Sequence, residues 1–368
     1  MRCAGYTSRS AFFLIPFFAF LAACSGAASA LPHSLYYLSG WDEDAQVWRL
    51  DLETQSTQQV TGEEFGVQDF SVSPADGSLA IVTGNRLYLL DADGGDRRLV
   101  ADGSTVDPNI EDYIFRGFVN DPVFFPDGAT LAYAFDGLHL YDTASTEDKH
   151  ALTNLGNLND EPFVFAKEVY SPGRWSPDGS KLLILMDYYE GSTLAVMDPD
   201  AEQPFTRLRS EGPVCCTFSW SADSQSVLVA NPNYTGDVPG LWSFDAHTGE
   251  ETVLIPGIAE DGSINFVGWP FKRQDGSLYY FHENVERFSP DEGIHLSMAR
   301  SAADGGGRTQ LRSEIFSIRE ALWAPDGSFA LVVEPGEESS RVLLVETDGS
   351  PIQLLLEGEG IGNLAWRP

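Results

Sequence analysis

The chain has 368 residues, with 22 Lys and Arg against 55 Asp and Glu and a formal net charge of −33. That balance excludes a nucleic-acid binder, whose phosphate contacts need basic patches, and it disfavours direct contact with anionic lipid headgroups. An apolar content of 43% excludes a disordered chain.

Taken in order, residues 1–23 read as a targeting segment. Arg2 and Arg9 give a positive start, and an apolar run from Ala11 to Phe20 is broken only by Pro16. The run is shorter than the ~20 residues a membrane-spanning helix needs, so it fits a secretory signal, which takes no part in the fold. Leu21-Ala22-Ala23-Cys24 resembles the bacterial lipobox, which implies an acylated Cys24 as the first mature residue. Ala28-Ser29-Ala30 offers an ordinary cleavage site as the other reading. Ser25 after the cysteine implies, by the same resemblance, the outer membrane of a Gram-negative cell. Loss of residues 1–23 removes two arginines and no acid, taking the charge from −33 to −35. Residues 24–34 are small and polar and read as a short tether.

From residue 35 onward a short stretch recurs. Val72-Ser73-Pro74-Ala75-Asp76-Gly77, Phe124-Phe125-Pro126-Asp127-Gly128, Trp175-Ser176-Pro177-Asp178-Gly179, Trp220-Ser221-Ala222-Asp223-Ser224 and Trp323-Ala324-Pro325-Asp326-Gly327 are copies, and Trp269-Pro270-Phe271 reaches Asp275-Gly276 by a detour. Successive Asp positions lie 51, 51, 45, 52 and 51 residues apart. A period in the range of ~20–50 residues marks a solenoid, propeller or array. Pro followed by Asp-Gly between apolar runs is turn chemistry. The run after each turn is strand-like (Leu182-Leu183-Ile184-Leu185), and a third strand often ends in an acid (Leu138-His139-Leu140-Tyr141-Asp142). A polar turn and a fourth short strand close the unit. Four strands without helical periodicity make a β-propeller blade. The fold class expected is therefore all-β.

An aromatic-Ser-Pro-Asp-Gly turn followed by an apolar strand and an apolar-apolar-Asp strand resembles the TolB-like, WD40-like propeller repeat. The resemblance covers most of residues 35–368 and implies the fold more than the task, since such propellers serve many functions. The start of the chain supplies second, third and fourth strands (Leu35–Leu38, Gln46–Asp51, Gln58–Thr61), and Gly362–Trp366 supplies a first strand without followers. Joining them leaves no open edge. Six motifs plus this shared blade give seven blades; six is the alternative if the copy at Trp220 or Trp269 is not a blade.

Connections between second and third strands, and between fourth and first, share one face. The long ones fall there, at residues 40–45, 101–118, 154–173, 187–192, 231–240, 282–293 and 334–341. Long loops carry function, and aromatic and Arg residues are favoured anchors. Trp41, Tyr113, Phe115, Arg116, Arg174, Tyr188, Tyr189, Tyr234 and Arg287 are thus the candidate binding residues. Counting three residues back from each motif aromatic gives a second candidate, a ring at the channel mouth: Asp69, Asp121, Pro172, Thr217, Phe266, Glu320 and Asn363. Its acids could hold a cation or a basic peptide segment.

The adjacent Cys215 and Cys216 allow a strained vicinal disulfide or two thiols. Asp42-Glu43-Asp44 and Glu111-Asp112 leave Ca2+ open as a ligand, but no EF-hand spacing occurs. No other cofactor is expected. There is no G-x-S-x-G elbow, HExxH or P-loop. Prolyl-oligopeptidase-type enzymes carry similar propellers followed by a hydrolase domain, and here the chain ends with the propeller. The reading reached is a non-catalytic lipoprotein of the cell envelope, anchored only through Cys24, presenting a rigid loop face to an envelope protein or cell-wall-associated partner. A propeller enzyme acting on glycan or peptide through channel carboxylates, and a small-ligand sensor, are the alternatives.

Overall fold

In the computed structural model, the residues described are 34–109, 113–154, 168–188, 191–201, 205–208, 217–232, 239–287 and 294–367. Cys24, Tyr189, Cys215, Cys216, Tyr234 and the signal segment lie outside them, as does the side chain of Phe115.

Each repeat folds as one four-stranded antiparallel sheet, and there are seven. Both worn copies of the motif, at Trp220 and Trp269, begin such sheets, so the six-bladed alternative falls. Among the described residues, helix amounts to Tyr113–Arg116 and two 3-10 turns, Asp42–Asp44 and Gly103–Thr105. Blade 1 is built from both ends of the chain. Its inner strand, Gly362–Arg367, pairs antiparallel with Ser34–Ser39, placing Leu35 opposite Trp366 and Tyr36 opposite Ala365. The closure covers the edge of Ser34–Ser39 that would otherwise lie open.

The turn chemistry explains the repeat. Ser176 Oγ donates to Asp178 Oδ1 at 2.7 Å and accepts from the Lys181 backbone N–H at 2.9 Å. Asp178 Oδ1 also accepts from Ser180 N, and Gly179 takes a φ of 73° that a side chain would oppose. The same carboxylate-to-backbone staple recurs at Asp76, Asp127, Asp223, Asp275 and Asp326. A second set staples the turn after each third strand, as where Asp142 accepts from Ala144 and Ser145 and Asp245 from His247 and Thr248. Much of the acid in this sequence is therefore turn hardware, on top of any solvated surface.

Second strands pack between neighbouring blades on both faces, which is why they read as unbroken apolar runs: Leu79–Thr83 is buried at every position. Clusters bridge adjacent sheets, as where Leu183 and Val196 meet Trp220 and Phe244. Each such side chain contributes about 1.5–3 kcal/mol by leaving water. Fourth strands face solvent, and Thr57–Gln59 is exposed throughout.

Candidate functional site

The loop face gathers exposed apolar side chains. Trp41 is 57% exposed in the turn between second and third strands of blade 1. Phe65 (52%), Phe118 (45%), Ile258 (59%) and Ile315 (62%) all stand in connections from a fourth strand to the next first strand. Alternating strand direction puts both kinds of connection on one face. The other exposed large apolar residues, Leu99, Val253 and Leu354, lie on outer strands, so among the described residues none sits in a Pro-Asp-Gly turn.

Backbone contacts tie the rim of blades 1 to 3 into one strip. Val67 N donates to Ala45 O, Phe65 lies against the Gly84 backbone, and Asn85 bonds both Gly117 O and Val119 N. Tyr113 packs on Phe118 with ring centres 5.3 Å apart. Sequence reasoning found Trp41 and Tyr113 here and passed over Phe65, Ile258 and Ile315. Their signal is a lone apolar residue in an otherwise polar connector, as in Glu63-Glu64-Phe65-Gly66.

Three of the expected loop anchors are placed elsewhere or are already committed. Arg116 makes a bidentate pair with Asp136, at 2.9 Å through Nε and 2.9 Å through a terminal nitrogen. Tyr188 ends a strand, Leu182–Tyr188, and its hydroxyl accepts from Arg207 at 2.5 Å beside Glu168. Two of the connections expected to be long are partly strand: 187, 188, 191 and 192 in the first, and 334, 335, 340 and 341 in the second. Arg174 lies in an inner strand, Val169–Trp175, and lines the axis. Arg287 is exposed near the end of its hairpin, as expected for the loop face.

The ring at the channel mouth assembles in part. Asn363 donates its amide to Asp69 at 2.7 Å, while its backbone N–H and that of Leu364 donate to the two oxygens of Glu320, each at 2.7 Å. Asp121 lies close enough to act on Asp69. Burial first, and then the Asp121 charge, push the Asp69 carboxyl up to about 7, against hydrogen bonds that pull it down. Burial raises Asp121 as well. Thr217 accepts from the Trp269 backbone N–H at 2.9 Å. Pro172 and Phe266 do not join the ring. Both are buried, and Phe266 packs with Phe281 and Met298 in the core. Bulges interrupt these strands between Pro172 and Trp175 and between Gly268 and Phe271, so counting back from the aromatic does not carry the facing through; bulges beside Asp121 and Asn363 leave those two at the mouth.

The axis holds a cavity of about 400 Å3 that includes two of the ring positions, Thr217 and Glu320, in its wall. Trp175, Trp220, Trp269, Trp323 and Trp366 line it, with Arg174, Thr217, Ser219 and Glu320. Pro325 of a Pro-Asp-Gly turn is also in its wall, so the cavity reaches toward the turn face. Among the described residues no group of three or more His, Cys, Asp or Glu is arranged to hold a metal ion, and no helix is long and apolar enough to cross a membrane.

These sheets and their shared axis define an all-β, closed seven-bladed β-propeller with an axial cavity. No family model matches the sequence, and no curated protein is significantly similar to it. Solved structures are similar in fold. A prolyl endopeptidase structure matches at 12% identity over 91% of this chain and 49% of its own, with a TM-score of 0.60. A Bacteroides fragilis protein assigned as a 6-phosphogluconolactonase matches at 12% identity over 93% and 99%, with a TM-score of 0.55. TolB from Acinetobacter baumannii matches at 15% identity over 90% and 81%, with a TM-score of 0.47. The chain spans about half the length of the endopeptidase. At these identities the likeness is one of fold.

Proposed function

We propose that this protein is a non-catalytic binding module of the bacterial cell envelope, held to the membrane by an acylated Cys24 and presenting its long-loop face to an envelope protein or a cell-wall-associated partner. One observation carries the reading: Trp41, Phe65, Phe118, Ile258 and Ile315 are exposed on a single face. Exposed apolar groups gathered on one face of a folded protein mark an interaction surface. The propeller holds them rigidly, so little ordering entropy opposes association.

The test is site-specific photo-crosslinking in cells. A crosslinker replaces Trp41, Phe65 or Ile315 on the loop face, or Ala129 or Ser328 beside the Pro-Asp-Gly turns. A single defined adduct from the loop-face positions and none from the turn positions supports the reading. Equal labelling from both faces, or none, overturns it. Turnover of an envelope glycan or peptide that disappears on Asp69→Asn substitution would replace it with a catalytic channel.

A further inference from the structure

Arg174 occupies an unusual position. It lines the axial cavity directly before Trp175, and its backbone carbonyl accepts from the Trp220 indole at 2.9 Å. Its guanidinium has no hydrogen-bond or ion-pair partner among the described residues. The side chain is exposed, yet the protein crowded around it lowers its pKa by desolvation, with Glu320 acting the other way. Both follow from its place on an axial hollow, where open space lies beside the side chain and protein surrounds it. Glu320 does not neutralise it by contact, because that carboxylate is spent on two backbone N–H groups at 2.7 Å.

The wall offers a second free donor. The indoles of Trp220, Trp323 and Trp366 each donate to a backbone carbonyl, at 2.9, 2.7 and 2.8 Å. The Trp175 indole N–H is buried and has no acceptor. A guanidinium with no partner offers its full set of donors to an anion, and a carboxylate can take them bidentately. Flat indole walls favour an apolar or aromatic body. The cavity falls in the size range of small-molecule sites. Glu320 lines the same cavity and acts on Arg174, so it opposes a second negative charge there and selects a monoanion over a phosphate ester.

We propose that the axial cavity is a binding site for a small aromatic or apolar monocarboxylate, with Arg174 pairing its carboxylate and the tryptophan wall holding its body. Entry is from the Pro-Asp-Gly turn face, where Pro325 stands in the wall, away from Asp69 and Asp121. The site is separate from the loop face and does not depend on it.

Five of the chain's eight tryptophans line the cavity, so intrinsic fluorescence reports its occupancy. Purified protein is titrated with phenylacetate, phenylacetamide and phenyl phosphate, and phenylacetate binding is confirmed by calorimetry. Saturation by phenylacetate below about 1 mM is expected for a ligand of this size, with binding of the amide and the phosphate weaker by at least about tenfold. Arg174→Met should lose at least about tenfold in phenylacetate affinity without a lower melting temperature, since it removes an unpaired cation. Arg174→Lys should fall between. Equal binding of phenylacetate and phenylacetamide to the native protein, undiminished affinity in Arg174→Met, or no saturation by phenylacetate at about 10 mM would each overturn the proposal.

Discussion

Asn363 donates its side-chain amide to Asp69 at 2.7 Å, across 294 positions of sequence, and so joins the inner strand of blade 1 to that of blade 2 at the mouth of the channel. The acceptor is an acid held up to about 7 by burial and by Asp121. Between its ordinary value and about 7, the folded protein keeps a proton that the unfolded chain has lost. Asp69 therefore favours the folded state at low pH and loses that advantage as pH rises through 7. Asp69→Asn keeps an acceptor oxygen and removes the titration. At pH 8 it should be about 1–3 kcal/mol more stable than the native protein, with the gap closing toward pH 4, as read by urea unfolding.

His282 has the opposite dependence. Burial, and then the Arg308 charge, hold its pKa down to about 3, and an Arg308 terminal nitrogen lies 2.7 Å from its Nε2. The unfolded chain takes up a proton there near 6.5 and the folded one does not, so this group costs stability as pH falls from 6.5 toward 3. In an NMR titration the His282 ring should stay neutral down to about pH 4. Arg308→Met should move its midpoint upward.

The turn staples should be individually measurable. Asp178→Ala removes the acceptor for Ser180 N and for the Ser176 hydroxyl, and should cost about 1–2 kcal/mol in chemical denaturation. Those hydrogen bonds hold the Asp178 carboxyl down to about 2. Its contribution is therefore present above the ordinary carboxyl range and fades as pH falls toward 2.

Ring closure makes the last strand indispensable. Leu364 is buried among Leu35, Leu50 and Leu331, and Leu364→Ala should cost about 2–4 kcal/mol. Deleting residues 362–368 strips the inner strand from blade 1 and exposes the edge of Ser34–Ser39. That truncation should aggregate on light scattering, whereas Leu364→Ala stays monodisperse.

The architecture was legible because it is written in local turn chemistry. Pro177-Asp178-Gly179 and its relatives name their own hairpins, and the unmatched strands at the two ends name each other. The axial site was legible only in part. Asp69, Glu320 and Asn363 were found by counting back from an aromatic residue, but the same count picked Pro172 and Phe266, which are buried. A bulge adds one residue and turns the alternation over, and no composition signal announces it. That is also why Arg174 read as a loop residue. The partners of Arg116 and Tyr188 were not legible for another reason: Asp136 and Arg207 are 20 and 19 residues away and meet them only through strand pairing.

The shared first blade sets an order of events during synthesis. A growing chain can stack blades 2 to 7 as each repeat emerges, yet it remains an open arc with two raw ends until Gly362–Arg367 leaves the ribosome. The pairing that locks the ring spans almost the whole sequence, and contacts of such long range form slowly. A protein built this way gains its rigidity in one late step, and until then it needs protection from its neighbours.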